Sequence, residues 1–257
     1  MVDITKIKNI VREAAKLFAD RSAAEHIMEK GHCDYVTAVD EAVQTFMREQ
    51  LGTLYPEIQF MGEEQDNSKI DMNGLVWVLD PVDGTTNLIH DYHCSAISLA
   101  LLENKEPVIG IVYNPYADEM FWAEKGKGGF LNEIPIHVSG AECMAESLIS
   151  IGTSPYYKDK ADEIFETFTE IYKDCQDIRR CGSAAIDLAH VACGRIDAYL
   201  EQRLKIWDFA AGVLIVREAG GEVLDYCGEK RTMEPVGDVV AGNGRIERIL
   251  AEKYLAR

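Results

Sequence analysis

The sequence predicts a mixed α+β and α/β protein: an N-terminal half of mostly antiparallel sheet carrying helices, and a C-terminal α/β half. Three observations predict it. Apolar residues recur at helical spacing in two stretches near the start, and short strand-like runs separated by turn residues fill positions 75 to 138. Beyond Ser147, strand-like runs alternate with helical ones. No internal repeat or low-complexity linker divides the chain, so a soft boundary near residue 140 separates halves 1–140 and 141–257 that pack as one unit.

Ile4, Ile7, Val11, Ala14 and Phe18 predict one amphipathic helix, and Val39, Ala42, Val43, Phe46 and Met47 a second. Between them Glu29 to Asp34 is polar and contains Gly31, which predicts a loop able to move. Thr37-Ala38-Val39-Asp40 has capping-box form, so Asp40 reads either as a cap or as a functional acid. Gln59 to Glu64 is a short strand running into two acids. Leu75 to Leu79 is a continuous apolar run, a buried strand, followed by Asp80-Pro81-Val82-Asp83-Gly84-Thr85-Thr86-Asn87. Strands are then expected over Ser95 to Leu102, Val108 to Tyr113, Glu119 to Ala123 and Phe130 to Val138, with Tyr113, Trp122 and Phe130 as core. In the second half, the strand Leu148 to Ile151 precedes a helix from Asp159 to Asp174. A helix opened by Cys181-Gly182-Ser183 runs through Ala192. Then come a strand Ile196 to Leu200, a helix Trp207 to Ala219, strands Glu222 to Leu224 and Asp238 to Ala241, and a last helix from about Asn243.

A chain of 257 residues can bury a large core, and 47% apolar with 27% charged residues is a globular composition. The net charge of -18 argues against binding nucleic acid, which needs clustered Lys and Arg. It is compatible with a small phosphorylated substrate, because a divalent cation can supply local positive charge. Seven scattered cysteines without a C-x-x-C pair suit reduced, mostly buried thiols. The segment Met-Val-Asp-Ile-Thr-Lys lacks the apolar core of a signal peptide, and Cys94 to Leu102 is too short to span a bilayer, so no membrane is expected and a cytoplasmic location is.

Chemistry is expected where the central strand ends. Pro81 holds Asp80 extended and blocks a helix, so Asp80, the Val82 carbonyl and Asp83 can converge on one point, while Gly84 permits a tight turn or close approach to an anion. Glu63 in Gly62-Glu63-Glu64, and Asp208 in Trp207-Asp208-Phe209-Ala210-Ala211-Gly212, are further acids at element ends. Alone, each reads as a surface acid or a helix cap. His32, His90 and His93 have no ligand spacing and read as structural or surface residues.

Together these segments resemble the signatures of the inositol monophosphatase-like, magnesium-dependent, lithium-sensitive phosphatases: Gly-Glu-Glu, Asp-Pro-x-Asp-Gly-Thr and Trp-Asp-x-Ala-Ala-Gly, in this order over nearly the whole chain. The resemblance implies a layered α-β-α-β-α sandwich, a homodimer and two Mg²⁺, with a weaker third leaning on Glu63. It implies Glu63, Asp80 and the Val82 carbonyl on one ion, and Asp80, Asp83 and Asp208 on the other. Oxygen-only donors agree with a hard cation. It further implies that Thr85 and Asp40 align and deprotonate the attacking water, and that Asp83 and the Gly84 and Thr85 amides meet the phosphate. Gly182, Ser183, Ala184 and Glu201 would contact the rest of a sugar or polyol phosphate such as inositol 1-phosphate.

Three alternatives stand beside it. An aspartyl-phosphate mechanism of the haloacid-dehalogenase type places its two acids one residue apart near the N-terminus; here two residues separate them, at position 80. Fructose 1,6-bisphosphate needs a second cationic pocket, for which Arg179, Arg180, Arg203 and Lys205 are candidates. A regulatory, partner-binding protein on the same fold is the third, and the intact acid set favours an enzyme.

Overall fold

The structure, a computed structural model, describes residues 2–31, 34–155 and 157–255. Helix α1 (Ile4–Ala15) is capped by Asp3, whose carboxylate accepts from the Thr5 and Lys6 amides at 3.1 and 3.4 Å. A 3₁₀ turn, Lys16–Ala19, carries Phe18 back to the buried side. After a short helix α2 (Arg21–Glu25), strands β1 (Ile27–Gly31) and β2 (Asp34–Thr37) pair antiparallel, Ile27 opposite Thr37 and Glu29 opposite Tyr35. This hairpin replaces most of the loop expected over 29–34. Its apolar residues Ile27 and Met28 are exposed, so no in–out alternation marks the strand in the sequence. His32 and Cys33 lie outside the described residues.

Helix α3 (Ala38–Leu54) starts at the expected cap: Thr37 Oγ1 accepts from the Val39 amide at 3.2 Å, and Asp40 Oδ2 accepts from the Thr37 amide at 2.8 Å. Seven strands then build the larger sheet in chain order: β3 (Gln59–Gly62), β4 (Leu75–Asp83), β5 (Ala96–Glu103), β6 (Glu106–Asn114), β7 (Glu119–Glu124), β8 (Gly129–Leu131) and β9 (Ile134–Ile136), with the short helix α4 (Thr85–Ile89) between β4 and β5. β3 runs parallel to β4, and every other pair is antiparallel. The single strand expected over Phe130 to Val138 is the β8–β9 hairpin. Asn132 adopts φ 54° at its turn, a left-handed conformation that asparagine tolerates and that breaks the run in two.

The smaller sheet is assembled from β10 (Leu148–Ile151), β11 (Asp177–Arg179), β12 (Ala198–Lys205), β13 (Glu222–Leu224) and β14 (Val236–Gly242), in the order β11-β10-β12-β14-β13. Helices α5 (Ala161–Asp174), α6 (Ala184–Ala192), α7 (Ile206–Glu218) and α8 (Ile246–Leu250) alternate with them. β11 was not expected: it is three residues at a sheet edge and only half-buried at Asp177 and Ile178. β12 runs past the expected end at Leu200 because a bulge with Arg203 at φ 57° lets Glu201, Leu204 and Lys205 keep pairing with β14.

Side-chain alternation explains the layers. On β4, Trp77 and Leu79 pack with Ile7, Val11 and Met47 of α1 and α3, whereas Val76 and Val78 pack with α6 and α7. α6 and α7 therefore lie between the sheets, and Ile164, Phe168 and Leu250 of α5 and α8 cover the far face of the smaller one. The five layers are the α-β-α-β-α sandwich that the resemblance implied. At Gly110 a Cβ would come within 2.6 Å of the Ala211 carbonyl oxygen, so glycine is what lets α7 rest on β6. Tyr113 and Trp122 are buried as expected, and Phe130 stacks on Trp122 with ring centroids 4.5 Å apart. The cysteines are less buried than expected. Among the described residues, Cys94, Cys175, Cys181 and Cys193 are half-buried free thiols, and Cys143 and Cys227 are exposed. No helix among the described residues is long and apolar enough to cross a membrane.

Candidate active site

The site begins with a defect in β4. Asp80 pairs with Ser98 and Asp83 with Ala96, so three steps along β4 match two along β5. In a regular strand, residues three apart point to opposite faces. The extra residue of a bulge restores both carboxylates to one face, that of α6 and α7. Pro81 sits within the bulge, where its missing N–H costs no ladder bond. Asp80 Oδ1 then accepts from the Val82 amide at 2.9 Å, which fixes the turn.

Other elements bring their acids to the same cavity, of about 280 Å³. The Glu63 amide donates to the Leu79 carbonyl at 3.2 Å, so the parallel pairing of β3 and β4 sets Glu63 next to Asp80. Ser98 Oγ, opposite Asp80, donates to the Trp207 carbonyl at 2.9 Å and ties the start of α7 to β5. That places Asp208 on the cavity, with Oδ2 accepting from the Lys205 amide at 2.7 Å. Asp83 Oδ2 accepts a short hydrogen bond from Ser183 Oγ and another from the Ala185 amide at 2.8 Å. Thr85 Oγ1 lies 3.1 Å from both Asp40 Oδ1 and the Val82 carbonyl. Asp40 is thus both the cap of α3 and the partner of Thr85; the two readings of the sequence are compatible. Gly84, at φ 89°, makes the turn between them.

Electrostatically the cluster is incomplete. Burial, then repulsion from Glu63, Asp83, Asp208 and Asp40, pushes the Asp80 carboxyl well above the usual range. Burial, then Glu63 and Asp83, does the same to Asp208. Asp83 is pushed up to about 6 by burial, against the bonds from Ser183 and Ala185. Asp40 is raised to about 6, again by burial, with Thr37 opposing. No ion pair ties Asp80, Asp83 or Asp208 to a basic side chain among the described residues. Like charges gathered from four elements without a cation form a donor set suited to hard divalent metal ions: carboxylate oxygens plus the Val82 carbonyl, and no nitrogen or sulfur. Among the described residues no three such side chains already close on one point, and the carboxylates line the cavity turned to protein donors.

Gly182, Ser183, Ala184 and Glu201 also line the cavity. Glu201 is buried, Oε1 accepting from the Ser154 amide at 2.8 Å and Oε2 from Tyr199 Oη at 2.6 Å. Of the basic candidates, Arg180 lines the cavity and donates to Thr153 Oγ1 at 3.2 Å. The other three point elsewhere: Arg179 pairs with Asp177, Arg203 covers the Tyr157 ring at 4.2 Å, and Lys205 is exposed. His93 stacks on Tyr116 at 4.6 Å at the surface, and His90 is exposed.

Sequence reasoning missed Tyr35, Lys158 and Asp187, which also line the cavity. Tyr35 and Lys158 carry no local signal, but an acid inside the apolar run Ala184 to Ala192 was one. Burial, then Cys181, holds the Asp187 carboxyl well above its usual range, and Ser150 Oγ donates to it at 2.7 Å. A raised carboxyl stabilises the fold fully below the unfolded value near 4, and that contribution is lost as pH rises through the folded value. Asp187→Asn will therefore gain stability relative to wild type as pH increases from 5 to 8 in urea unfolding with chelator present. Parallel stability curves would contradict this.

Comparison with known proteins agrees with the fold and the motifs. The family model described as "Inositol monophosphatase family" matches residues 2–257. The chain is 38% identical over 223 residues to an inositol-1-monophosphatase of Rhizobium meliloti (strain 1021), covering 87% of this chain and 84% of that one. It is 37% identical over 235 residues to the Nus factor SuhB of Xylella fastidiosa, covering 88% and 84%. A solved structure of SaIMPase-II with inositol monophosphate bound superposes with a TM-score of 0.84 at 30% identity, covering 97% of this chain and 92% of that one.

Proposed function

We propose, from the premise that this chain belongs to the inositol monophosphatase family, that it is a Mg²⁺-dependent phosphoric monoester hydrolase acting on inositol 1-phosphate or a similar small polyol or sugar phosphate. The observation that carries this reading is the convergence of Glu63, Asp80, Asp83 and Asp208 on one cavity with the Thr85–Asp40 pair beside them. Glu63, Asp80 and the Val82 carbonyl would hold one ion, Asp80, Asp83 and Asp208 a second, and Glu63 a weaker third. Bound there, Mg²⁺ supplies Lewis-acid charge that balances the phosphate and eases deprotonation of water.

The chain's own residues do the rest. Thr85 Oγ1, tethered to Asp40, accepts a hydrogen bond from the attacking water and passes a proton to Asp40. Burial has brought that carboxylate's proton affinity to about 6, close to what a general base needs near neutrality. Glu63 helps to orient the water. Asp83 and the Gly84 and Thr85 amides fix the phosphate, while Ser183 and the amides of Gly182 and Ala184 hold the substrate from α6. Glu201 accepts from substrate hydroxyls. Water attacks phosphorus directly and no phosphoryl-enzyme forms. The protein works as a homodimer in the cytoplasm, and light scattering checks its mass.

One observation favours a wider range: Arg180 and Lys158 both line the cavity, which suits a second anionic group on the substrate, as in a sugar bisphosphate. Another keeps a partner-binding role in view, because several relatives are named Nus factor SuhB. A panel of inositol 1-phosphate, fructose 1,6-bisphosphate, glycerol 2-phosphate, histidinol phosphate and adenosine 3′,5′-bisphosphate, assayed with Mg²⁺, with EDTA and with added Li⁺, tests all three. Release of phosphate from the first, abolished by EDTA and suppressed by Li⁺, is expected. No release from any ester would leave the partner-binding reading.

A further inference from the structure

Two cysteines meet beside the cavity without lining it. Cys94 lies between α4 and β5, and Cys181 between β11 and α6. Asn87 clamps both segments, its Nδ2 donating to the Cys94 carbonyl at 2.6 Å and to the Cys181 carbonyl at 2.9 Å. Gly84 packs into the same crevice, where a Cβ would lie 3.0 Å from the Cys94 carbonyl oxygen and 3.1 Å from that of Gly182. The thiols face each other within interaction range, with His190 and Asp187 on the Cys181 side, and both are half-buried and free. Other thiols are placed differently: Cys175 and Cys193 donate to backbone carbonyls, and Cys143 and Cys227 are exposed.

We propose that Cys94 and Cys181 form a reversible disulfide joining the α4–β5 connection, against which the Gly84 turn packs, to the Gly182 turn, and that closing it switches the site off. The second part rests on the phosphatase reading above. The chemistry balances with an oxidised low-molecular-weight disulfide, RSSR, as oxidant. Hydrogen bonding from Cys181 holds the Cys94 thiol below its usual range, while the same interaction, with burial, pushes Cys181 up to about 12, so Cys94 ionises first. Its thiolate attacks one sulfur of RSSR and expels RS⁻. Cys181 then gives its proton to His190, attacks the Cys94 sulfur of the mixed disulfide and expels the second RS⁻. One small-molecule S–S bond is reduced, one protein S–S bond forms, and the two protons end on the released thiols.

The site feels this through its nearest neighbours. An S–S bond of about 2.05 Å is far shorter than a contact between free sulfurs, so closure draws the Cys181 turn towards Cys94. Gly182 and Ser183 follow, and Ser183 is the residue that holds Asp83. Displacing that hydroxyl releases Asp83 from the orientation the cavity uses.

The test uses the full-length protein under native conditions. Oxidised glutathione is added, remaining thiols are alkylated, and peptides are mapped by mass spectrometry alongside a phosphatase assay. The expected result is a Cys94–Cys181 linked peptide, a fall in kcat of about 10-fold or more, as small displacements of a catalytic group commonly cost, and recovery with dithiothreitol. Cys94→Ser and Cys181→Ser should each keep the reduced protein's activity and lose sensitivity to the oxidant. Cys94→Ala, checked for folding by circular dichroism, repeats the test without a hydroxyl in the crevice. Failure to find the linked peptide in folded protein would overturn the disulfide. Its formation with unchanged kcat would overturn the switch. A reduced protein without phosphatase activity would count against the functional reading and the switch, and the linked peptide would still test the disulfide.

Discussion

Asp208→Asn will lose about 10³-fold or more in kcat/KM on inositol 1-phosphate, the several kcal/mol that a catalytic metal site commonly supplies. It will nevertheless gain thermal stability in EDTA. Asp208 sits in an acidic cluster whose mutual repulsion, added to burial, raises its own proton affinity and that of Asp80. Removing one negative charge relieves this repulsion, while the amide oxygen can still accept from the Lys205 backbone. Calorimetry in EDTA and kinetics across a Mg²⁺ titration read the two effects separately. Near wild-type turnover at saturating Mg²⁺ would remove Asp208 from the metal set.

Thr85→Ala will lower kcat by roughly 10²-fold, the range typical for loss of a positioned proton-transfer group, with little change in the Mg²⁺ concentration giving half-maximal rate. Thr85→Ser should recover most of the loss, because the hydroxyl and its bond to Asp40 are what the reaction needs. Asp40→Asn should cost a comparable factor in kcat and also some stability, because the same carboxylate accepts from both the Thr37 amide and the Thr37 hydroxyl at the start of α3. A Thr85→Ala enzyme with unchanged kcat would eliminate the relay.

Most of the fold was legible because its signals are periodic. Helices α1, α3 and α5 carry apolar residues at helical spacing, α6 and α7 are near-continuous apolar runs buried between the sheets, and the layers follow from which strand residues alternate. Elements that were missed, such as the β1–β2 hairpin and β11, are short and partly exposed, so they bury too little to leave a pattern. The acids at the ends of β3 and β4 and at the start of α7 were legible because carboxylates are unusual where a buried element stops. Tyr35 and Lys158 were not, because the short strand β2 and the 3₁₀ turn before α5 bring them to the cavity without marking their own sequence. Asp187 lay between these cases: an acid in an apolar helix was visible, but its partner Ser150 comes from a distant strand.

The bulge in β4 has a consequence for reading sequences. A pleated strand obeys a parity rule, under which even separations share a face and odd ones do not. Asp80 and Asp83 are an odd distance apart yet act together, so their spacing is itself the trace of an inserted residue. Excising Val82 would leave every carboxylate in the chain and restore the strand's parity. It would leave Asp83 two residues from Asp80 and still on the same face, so what the inserted residue adds is the Val82 carbonyl between the two acids, which Thr85 Oγ1 meets at 3.1 Å.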